Sequence, residues 1–277
     1  MTEDAKAEED ESQAAESAAV EVEGSGPESP EMTARSEGTE RPLPILYRRP
    51  VPLTESDFAG RGYTAPSNWE FARNADFVPL TDDQFADVAG CYPILFAGQA
   101  STPVCVLGVR RSQNLFVDSQ GDWAPGYPIP NYVRRYPFIM EALGGNSFRL
   151  CADLDAPMLV EDGAEPLFLN GEPSPFLSSI KDKCAAYEER SVVTRDFCRS
   201  LIEADLLVKK DFVFRARDGG GVGVTNLSIV DKSKLDAMAD AVLLEWYRNG
   251  YLSLIHCHLV SLRCWPRLLA RSESLSG

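Results

Sequence analysis

The stretch YPILFAGQASTPVCVLGV, residues 92–109, contains two short apolar runs separated by turn-forming residues. Three later stretches repeat the pattern: NLFVD (114–118), SFRLCADLD (147–155) and PLFLN (166–170). Apolar runs of this length, bounded by polar and glycine-containing turns, are typical of β-strands. The sequence therefore predicts a mostly antiparallel sheet between about residues 77 and 170.

Two short helices are predicted in the same half of the chain. Thr81 and Gln84 have the spacing of a capping box, and Gly90 ends the apolar pattern that follows. Further on, Pro130 favours a helix start and Pro137 a helix stop, so the segment between them predicts one short helix.

The pattern becomes helical at Ser174, which precedes Pro175 as a candidate N-cap. Apolar residues follow at helical spacing as far as Tyr187, and a second helix is predicted to begin near Thr194. The stretch DFVFRARDGGGVGVTNLSIVD, residues 211–231, predicts a β-hairpin around a glycine turn.

Two helices are predicted after this hairpin. Asp231 is a candidate N-cap for the first, which has Val242 and Trp246 on its inner face and ends at Gly250. The second carries His258 on its apolar face and is predicted to bend at Pro266.

Strands followed by helices predict an α+β fold, in which the sheet of the N-terminal half packs against C-terminal helices. We expect residues 41–277 to form a single domain, in which a sub-boundary near residue 173 is left open.

Residues 1–40 differ from the rest in composition. They contain thirteen acidic and two basic residues, so they carry −11 of the formal net charge of −15. They contain no Phe, Trp or Tyr. Such a segment cannot bury enough apolar surface to offset the entropy of ordering it, so we predict a disordered acidic tail. A solubilising role is favoured over binding of a basic partner.

Composition also limits the compartment and the partners. The chain lacks a positively charged start followed by an apolar run, and no stretch reaches the ~18 apolar residues of a membrane helix. We expect a cytoplasmic protein without a membrane span, with export by another route left open. The seven cysteines are widely spaced, which favours reduced thiols over a disulfide framework. No basic stripe or zinc-finger pattern indicates nucleic-acid binding.

Two motifs resemble a phosphate loop and a metal site, but the surrounding sequence favours neither interpretation. DGGGVGV (218–224) precedes a strand-like run instead of the helix that a phosphate loop needs, so we interpret it as a hairpin turn. His256 and His258 are the only histidines, and neighbours two apart on a helix face different directions. We therefore expect no metal site and no cofactor, and we lean against an enzyme.

The segment YVRRYPF (132–138) places two arginines among tyrosines. On a short helix Tyr132, Arg135 and Tyr136 share one side, whereas Arg134 points elsewhere. Arg135 then has two alternative roles. It either links the helix to the sheet through a nearby carboxylate, or it receives the carboxylate or phosphate of a ligand. The nearby acids are Asp118, Asp122, Asp153 and Asp155.

These residues define the candidate site for the ligand-binding alternative. Asp153 and Asp155, two apart at a strand end, are expected on one face, where paired carboxylates could also act as acid and base. The candidate ligand-binding residues are Tyr132, Arg134, Arg135, Tyr136, Asp118, Asp153 and Asp155.

The assembled motifs resemble the SapC family of bacterial surface-layer-associated proteins. The resemblance covers about residues 44–271. It rests on a series of stretches in family order: FVPLTDDQF, YPILFAG, PVCVLGV, NLFVDSQGDW, YPIPNYVRRYPF, LCADLD, LFLNGEPS, FCRSLIEADLLV and HCHLVSLRCWPRLLAR.

The resemblance implies a role linked to a surface layer and brings no catalytic residues with it. Three hypotheses follow. The first is a non-enzymatic accessory protein with one or more protein partners. The second is a small-ligand binder or enzyme at the arginines, and the third is a structural surface-layer subunit.

Overall fold

The computed structural model describes residues 43–144, 147–215 and 221–274. The predicted tail, residues 1–40, and the tip of the predicted hairpin, residues 216–220, lie outside the described residues.

The strands of the described residues pair in an antiparallel manner throughout. In chain order they are β1 (Pro50–Pro52), β2 (Arg61–Tyr63), β3 (Phe77–Pro79), β4 (Ile94–Ala97), β5 (Thr102–Val106), β6 (Phe138–Gly144), β7 (Ser147–Asp153), β8 (Leu159–Glu161), β9 (Glu165–Pro166), β10 (Phe168–Leu169), β11 (Glu172–Pro173), β12 (Leu207–Arg215) and β13 (Gly221–Val230).

These strands form four sheets and not one. The largest has the order β12-β13-β4-β5-β3, two others have the orders β1-β7-β6 and β8-β2-β9, and β10 pairs with β11. The predicted single sheet of the N-terminal half is therefore wrong in its composition. The hairpin of the C-terminal half pairs with β4 through Leu227 and Ser228, which covers an edge of β4 that would otherwise expose unpaired backbone groups.

The helices of the described residues are α1 (Glu55–Phe58), α2 (Phe85–Val88), α3 (Asn131–Arg134), α4 (Pro175–Glu203), α5 (Lys232–Asp236), α6 (Asp240–Arg248), α7 (Tyr251–Ser261) and α8 (Trp265–Ser274). Short 3-10 turns occur at Glu70–Ala72, Asp82–Gln84 and Leu262–Cys264. Strands and helices together confirm the predicted α+β class. Within the described ranges, no helix combines the length and the apolar character that a membrane crossing requires.

Three local predictions were wrong, in each case because a side chain makes a hydrogen bond that the sequence pattern does not indicate. The first two concern Thr81 and the stretch NLFVD. The capping box at Thr81 does not form, because the Thr81 hydroxyl donates to Asp83 at 2.6 Å and the first turn is 3-10. The predicted strand NLFVD is irregular, because Asn114 and Asp118 accept hydrogen bonds from nearby backbone amides. Only Val117 forms a β-bridge there, with Trp123.

The predicted second helix at Thr194 is a continuation of α4. The Thr194 hydroxyl donates to the carbonyl of Arg190 at 2.7 Å, four residues earlier, which is an interior position and not a cap. After Pro175 the helix contains neither Gly nor Pro, so nothing in the sequence breaks it. Its predicted N-cap is confirmed, since Ser174 accepts a hydrogen bond from the amide of Leu177.

The C-terminal helices follow the prediction with two changes. Asp231 caps α5 as predicted, but the chain breaks between α5 and α6, and Val242 is exposed while Trp246 is buried. Gly250 ends α6 with a positive φ of 79°, which favours glycine. The bend before Pro266 is a 3-10 turn that separates α7 from α8.

The small sheet β8-β2-β9 depends on two glycines. Gly62 and Gly163 lie so close that a Cβ atom on Gly62 would come within 2.5 Å of the Gly163 carbonyl oxygen. Because the two glycine backbones lie so close together, the chain that leaves β2 at Thr64 is held against β8, which contains Val160.

The apolar core joins the large sheet to the C-terminal helices, and its members range from Tyr47 to Leu268. Within it, His258 of α7 is fully buried. Its Nε2 accepts a hydrogen bond from the amide of Val230 at 3.1 Å, and its Nδ1 lies 2.7 Å from the carbonyl oxygen of Ile94. The histidine is therefore a neutral link between α7, β13 and β4. All seven cysteines lie in the described ranges, where five are buried, two are half-buried and none is paired.

We predict that His258 makes stability depend on pH. Burial lowers the pKa of His258 to about 4, against an ordinary value of 6.5. The unfolded chain then binds this proton more readily than the folded chain. The free energy of unfolding should therefore fall as pH drops from about 6.5 to about 4, by roughly 3 kcal/mol in total.

Urea unfolding at pH 7 and pH 5 tests this prediction. His258→Gln removes the titrating group and keeps an acceptor, so it should lower stability at pH 7 but show a shallower loss between the two pH values. His256→Gln is the matched control, because His256 is exposed on the same helix. Equal pH dependence in all three proteins would refute the assignment.

Candidate functional site

The two sides of the segment YVRRYPF lie in different surroundings. The hydroxyl of Tyr132 donates to the carbonyl of Ile45 at 2.9 Å, and the hydroxyl of Tyr47 donates to the carbonyl of Phe138 at 2.8 Å. These two bonds fix the chain before β1 against α3 and the start of β6. Arg135 faces α4 on one side, and Tyr136 faces the chain around Asp153 on the other.

Arg135 is held between two aromatic rings. Its guanidinium carbon lies 4.6 Å from the ring centre of Tyr132 and 4.1 Å from that of Tyr187 on α4. Its Nη1 lies 3.4 Å from Oε1 of Glu188, and the two side chains are only 11% and 19% exposed. The expectation that Arg135 pairs within the protein is thus correct, but the expected partner in the sheet is wrong. The carboxylate comes from α4, one residue after the stacking tyrosine.

Asp153 is the most connected of the predicted site residues. Its carboxylate is fully buried and accepts hydrogen bonds from the amides of Arg48 at 2.9 Å and Arg49 at 2.8 Å. It also accepts from the hydroxyl of Tyr136 at 3.0 Å and from the amide of Asp155 at 3.3 Å. These donors satisfy the charge of a carboxylate that would be costly to bury alone.

Of the other predicted residues, only Tyr136 contacts Asp153 through its side chain. Asp155 does not share its environment, because it follows the strand end, is exposed and pairs with the guanidinium of Arg49 at 2.7 Å. Arg134 is exposed, whereas Tyr132 and Tyr136 are buried. Asp118 lies in the turn after Phe116, where its carbonyl accepts a hydrogen bond from Arg73 at 2.6 Å.

A cleft of about 820 Å³ opens beside Tyr136. It is walled by three chain segments, residues 46–48, 64–74 and 155–160, and we call it the Tyr136 cleft. Of the predicted site residues, Tyr136 and Asp155 line it, whereas Tyr132, Arg134, Arg135, Asp118 and the buried Asp153 do not.

The floor of the Tyr136 cleft is apolar. The rings of Phe71 and Tyr136 stack with centres 4.8 Å apart and an interplanar angle of 18°. Met158 is buried beside them at 2% exposure, and Leu46 adds to the floor. The rim is largely exposed and carries polar side chains together with the apolar residues Ala65, Pro66, Pro157 and Val160.

The charges at the rim are mostly paired. Arg73 forms an ion pair with Glu70, and this hydrogen-bonded arginine lowers the pKa of the Glu70 carboxyl. Asp155 is paired with Arg49, as described above. The guanidinium of Arg48 differs, because it makes neither an ion pair nor a hydrogen bond with any described residue.

Burial keeps the phenol of Tyr136 and most of the thiols protonated. Burial, and then the neighbouring carboxylate of Asp153, raise the pKa of Tyr136 well above its ordinary range, so the phenol stays protonated and donates to that carboxylate. Burial also raises the pKa of six of the seven thiols, which leaves those cysteines as poor nucleophiles. Among the residues described by the structure, no group of three or more His, Cys, Asp or Glu could hold a metal ion.

Sequence reasoning missed Arg48 and Phe71, which both line the cleft. One signal was present. The stretch YRRP at residues 47–50 has the same composition as RRYP at residues 134–137, and the structure brings both stretches to Asp153. Nothing in the local pattern around Phe71 indicates that it would stack on Tyr136, because the two residues are far apart in the chain.

We predict that Arg135→Lys lowers the free energy of unfolding by about 1–2 kcal/mol, because lysine keeps the charge but loses the planar contact with both rings. Thermal or urea unfolding measures the loss. Arg134→Lys, the exposed neighbour, is the control and should change stability little. A fully stable Arg135→Lys protein would indicate that the stacked arrangement does not support the fold.

We predict a larger loss, about 2–4 kcal/mol, for Asp153→Asn, because the amide group turns one acceptor into a donor among four donors. The exposed Asp155→Asn should cost less than about 1 kcal/mol. Urea unfolding of both variants at pH 7 compares them. Equal losses would contradict the central position that the structure gives to Asp153.

Comparison with known proteins identifies one family. The family model of SapC matches residues 53–268, which is most of the sequence. No curated protein and no solved structure matches it. The match agrees with the resemblance carried by the motifs from FVPLTDDQF to the C-terminal helices, and the chain belongs to the SapC family.

Proposed function

We propose that this SapC family member is a non-enzymatic accessory protein that binds a protein partner through the Tyr136 cleft. The observation that carries the proposal is the lining of the cleft: an apolar floor of Phe71, Tyr136 and Met158 beneath an exposed rim that carries polar side chains. Sites with an apolar centre and a polar rim are typical of protein recognition.

The groups nearest the cleft support binding over catalysis. The Tyr136 hydroxyl is committed to Asp153, Glu70 to Arg73, and Asp155 to Arg49. A general acid or base must be able to exchange a proton with a substrate, and a nucleophile needs an adjacent base. Each of these groups is instead already occupied by a partner within the protein.

The location and biological setting belong to the same proposal. We propose a cytoplasmic protein whose partner belongs to the bacterial surface layer or to its assembly, as the family name implies. Cell fractionation tests the location. Ordered self-assembly at the surface would instead support the structural-subunit hypothesis.

A second candidate function is the binding of a small molecule, with or without turnover. The observation that favours it is the volume of the cleft, about 820 Å³, which lies within the range of small-molecule sites, roughly 300–1,000 Å³. Native mass spectrometry of the full chain purified from its own host, without tags or chelators, separates the candidates. A small discrete mass above that of the polypeptide would favour the ligand, and a stoichiometric protein complex would favour the partner.

We predict that photoreactive residues placed in the cleft crosslink to one partner protein in the native host. A photoreactive phenylalanine derivative replaces Ser67 in one variant and Val160 in another, because both residues are exposed and line the cleft. Both variants should crosslink to the same protein, since the two positions lie on different chain segments that line the same cleft.

The matched control carries the same photoreactive residue at Lys181, which is exposed on α4 and does not line the cleft. The control should not form the adduct. Adducts that also form from Lys181, or different proteins from the two cleft positions, would refute a partner site at the Tyr136 cleft.

A further inference from the structure

The chemistry of the partner follows from the charge of Arg48. Two arginines line the Tyr136 cleft, and Arg73 is neutralised by Glu70. The guanidinium of Arg48 is exposed and meets no carboxylate or hydrogen-bond acceptor among the described residues. An unpaired guanidinium beside an apolar floor is a receptor for a carboxylate, because it offers two parallel donors to two oxygens.

The position of Arg48 is fixed although its side chain is free. Its amide donates to Asp153 at 2.9 Å, and the next amide, that of Arg49, donates to the same carboxylate at 2.8 Å. The side chain of Arg49 is in turn held by Asp155. The backbone from which the Arg48 side chain extends is thus ordered before any ligand arrives, which reduces the entropy lost on binding.

The floor adds a second requirement. The stacked rings of Phe71 and Tyr136, together with the buried Met158, make the base of the cleft apolar. Aromatic side chains contact such surfaces favourably through offset or edge-on ring packing and through sulfur contacts. A ligand that uses both features carries a large apolar side chain close to its carboxylate.

The rim offers contacts for a polypeptide backbone. The side chains of Ser67 and Asn74 line the cleft and make no hydrogen bond with any described residue. A hydroxyl and an amide can donate to carbonyl oxygens and accept from backbone amides. Because the rim is exposed along the walls, a chain can enter and leave the cleft without ending there.

We propose that the Tyr136 cleft recognises an extended internal segment of its partner in which an Asp or Glu side chain lies next to a large aromatic residue. Arg48 binds the acidic side chain, and the aromatic ring rests on Phe71, Tyr136 and Met158. The inference rests on the proposed partner-binding function and adds the chemistry of the segment that is bound.

Methionine methyl groups provide the readout. The full chain is labelled with 13C at the methionine methyls and titrated with N-acetyl-Asp-Phe-amide. The Met158 signal should shift in a saturable way, whereas Met140 and Met238, which do not line the cleft, should stay in place. Two further probes accompany it: N-acetyl-Asn-Phe-amide lacks the charge, and N-acetyl-Phe carries its carboxylate only at the chain end.

The neutral probe should bind roughly tenfold more weakly than the acidic one, the loss expected for one charge-assisted hydrogen-bonded pair. Arg48→Gln should weaken the acidic probe by about the same factor and leave the neutral probe unchanged. Arg134→Gln, an exposed arginine that does not line the cleft, should change neither.

Four outcomes would overturn the inference: no shift at Met158, equal binding of the acidic and neutral probes, insensitivity to Arg48→Gln, or stronger binding of N-acetyl-Phe than of the acidic probe. Arg48→Gln keeps the amide that bonds to Asp153, so the fold should persist, and the unperturbed methyl spectrum verifies it.

The result is distinguishable from a failure of the proposed function. If positions 67 and 160 crosslink to one protein while the acidic probe fails, the cleft binds a partner of different chemistry. If the crosslinks also fail, the partner site itself is refuted.

Discussion

The buried carboxylate of Asp153 is the interaction on which the rest of this region depends. It lies at the end of β7 and gathers the amides that precede β1, the hydroxyl of Tyr136 and the amide of Asp155. Three stretches that are distant in sequence therefore meet at one charge. A buried carboxylate is stable only when donors surround it, so each stretch holds the other two in place.

The two faces of YVRRYPF therefore have different structural roles. On one face, Arg135 lies between Tyr132 and Tyr187 and joins α3 to α4, so the arginine supports the fold. On the other face, Tyr136 uses its hydroxyl to contact Asp153 and presents its ring to Phe71 and the cleft. The same short segment thus links the helical part of the protein to the cleft floor.

The sequence predicted those features that depend on neighbouring residues. The antiparallel strands, the N-caps Ser174 and Asp231, the glycine stop at Gly250 and the position of His258 on the apolar face of its helix each follow from local pattern. Sheet composition did not follow, because the pairing of β13 with β4 joins residues more than a hundred positions apart. A sequence pattern predicts that a segment is a strand, but it does not identify the strand with which that segment pairs.

The site was predicted in part for the same reason. Tyr136 and Asp155 line the cleft, and Asp153 lies directly behind it, so the tyrosines and strand-end acids did mark the region. The partner of Arg135 was missed because Glu188 lies on α4, where it looks like one of many solvated helix charges. Side-chain pairing between distant elements requires the tertiary arrangement, and no spacing rule supplies it.

The pairing of charges explains why one arginine at the cleft remains unpaired. Arg48 and Arg49 are adjacent and both give their amides to Asp153, but only Arg49 reaches Asp155. The two residues lie in a bend before β1, where both amides turn toward one carboxylate but only the Arg49 guanidinium meets a second one. The Arg48 guanidinium is left at an apolar cleft because Asp153 orders its backbone. The carboxylate that stabilises this part of the fold is therefore also the group that sets the charge of the cleft.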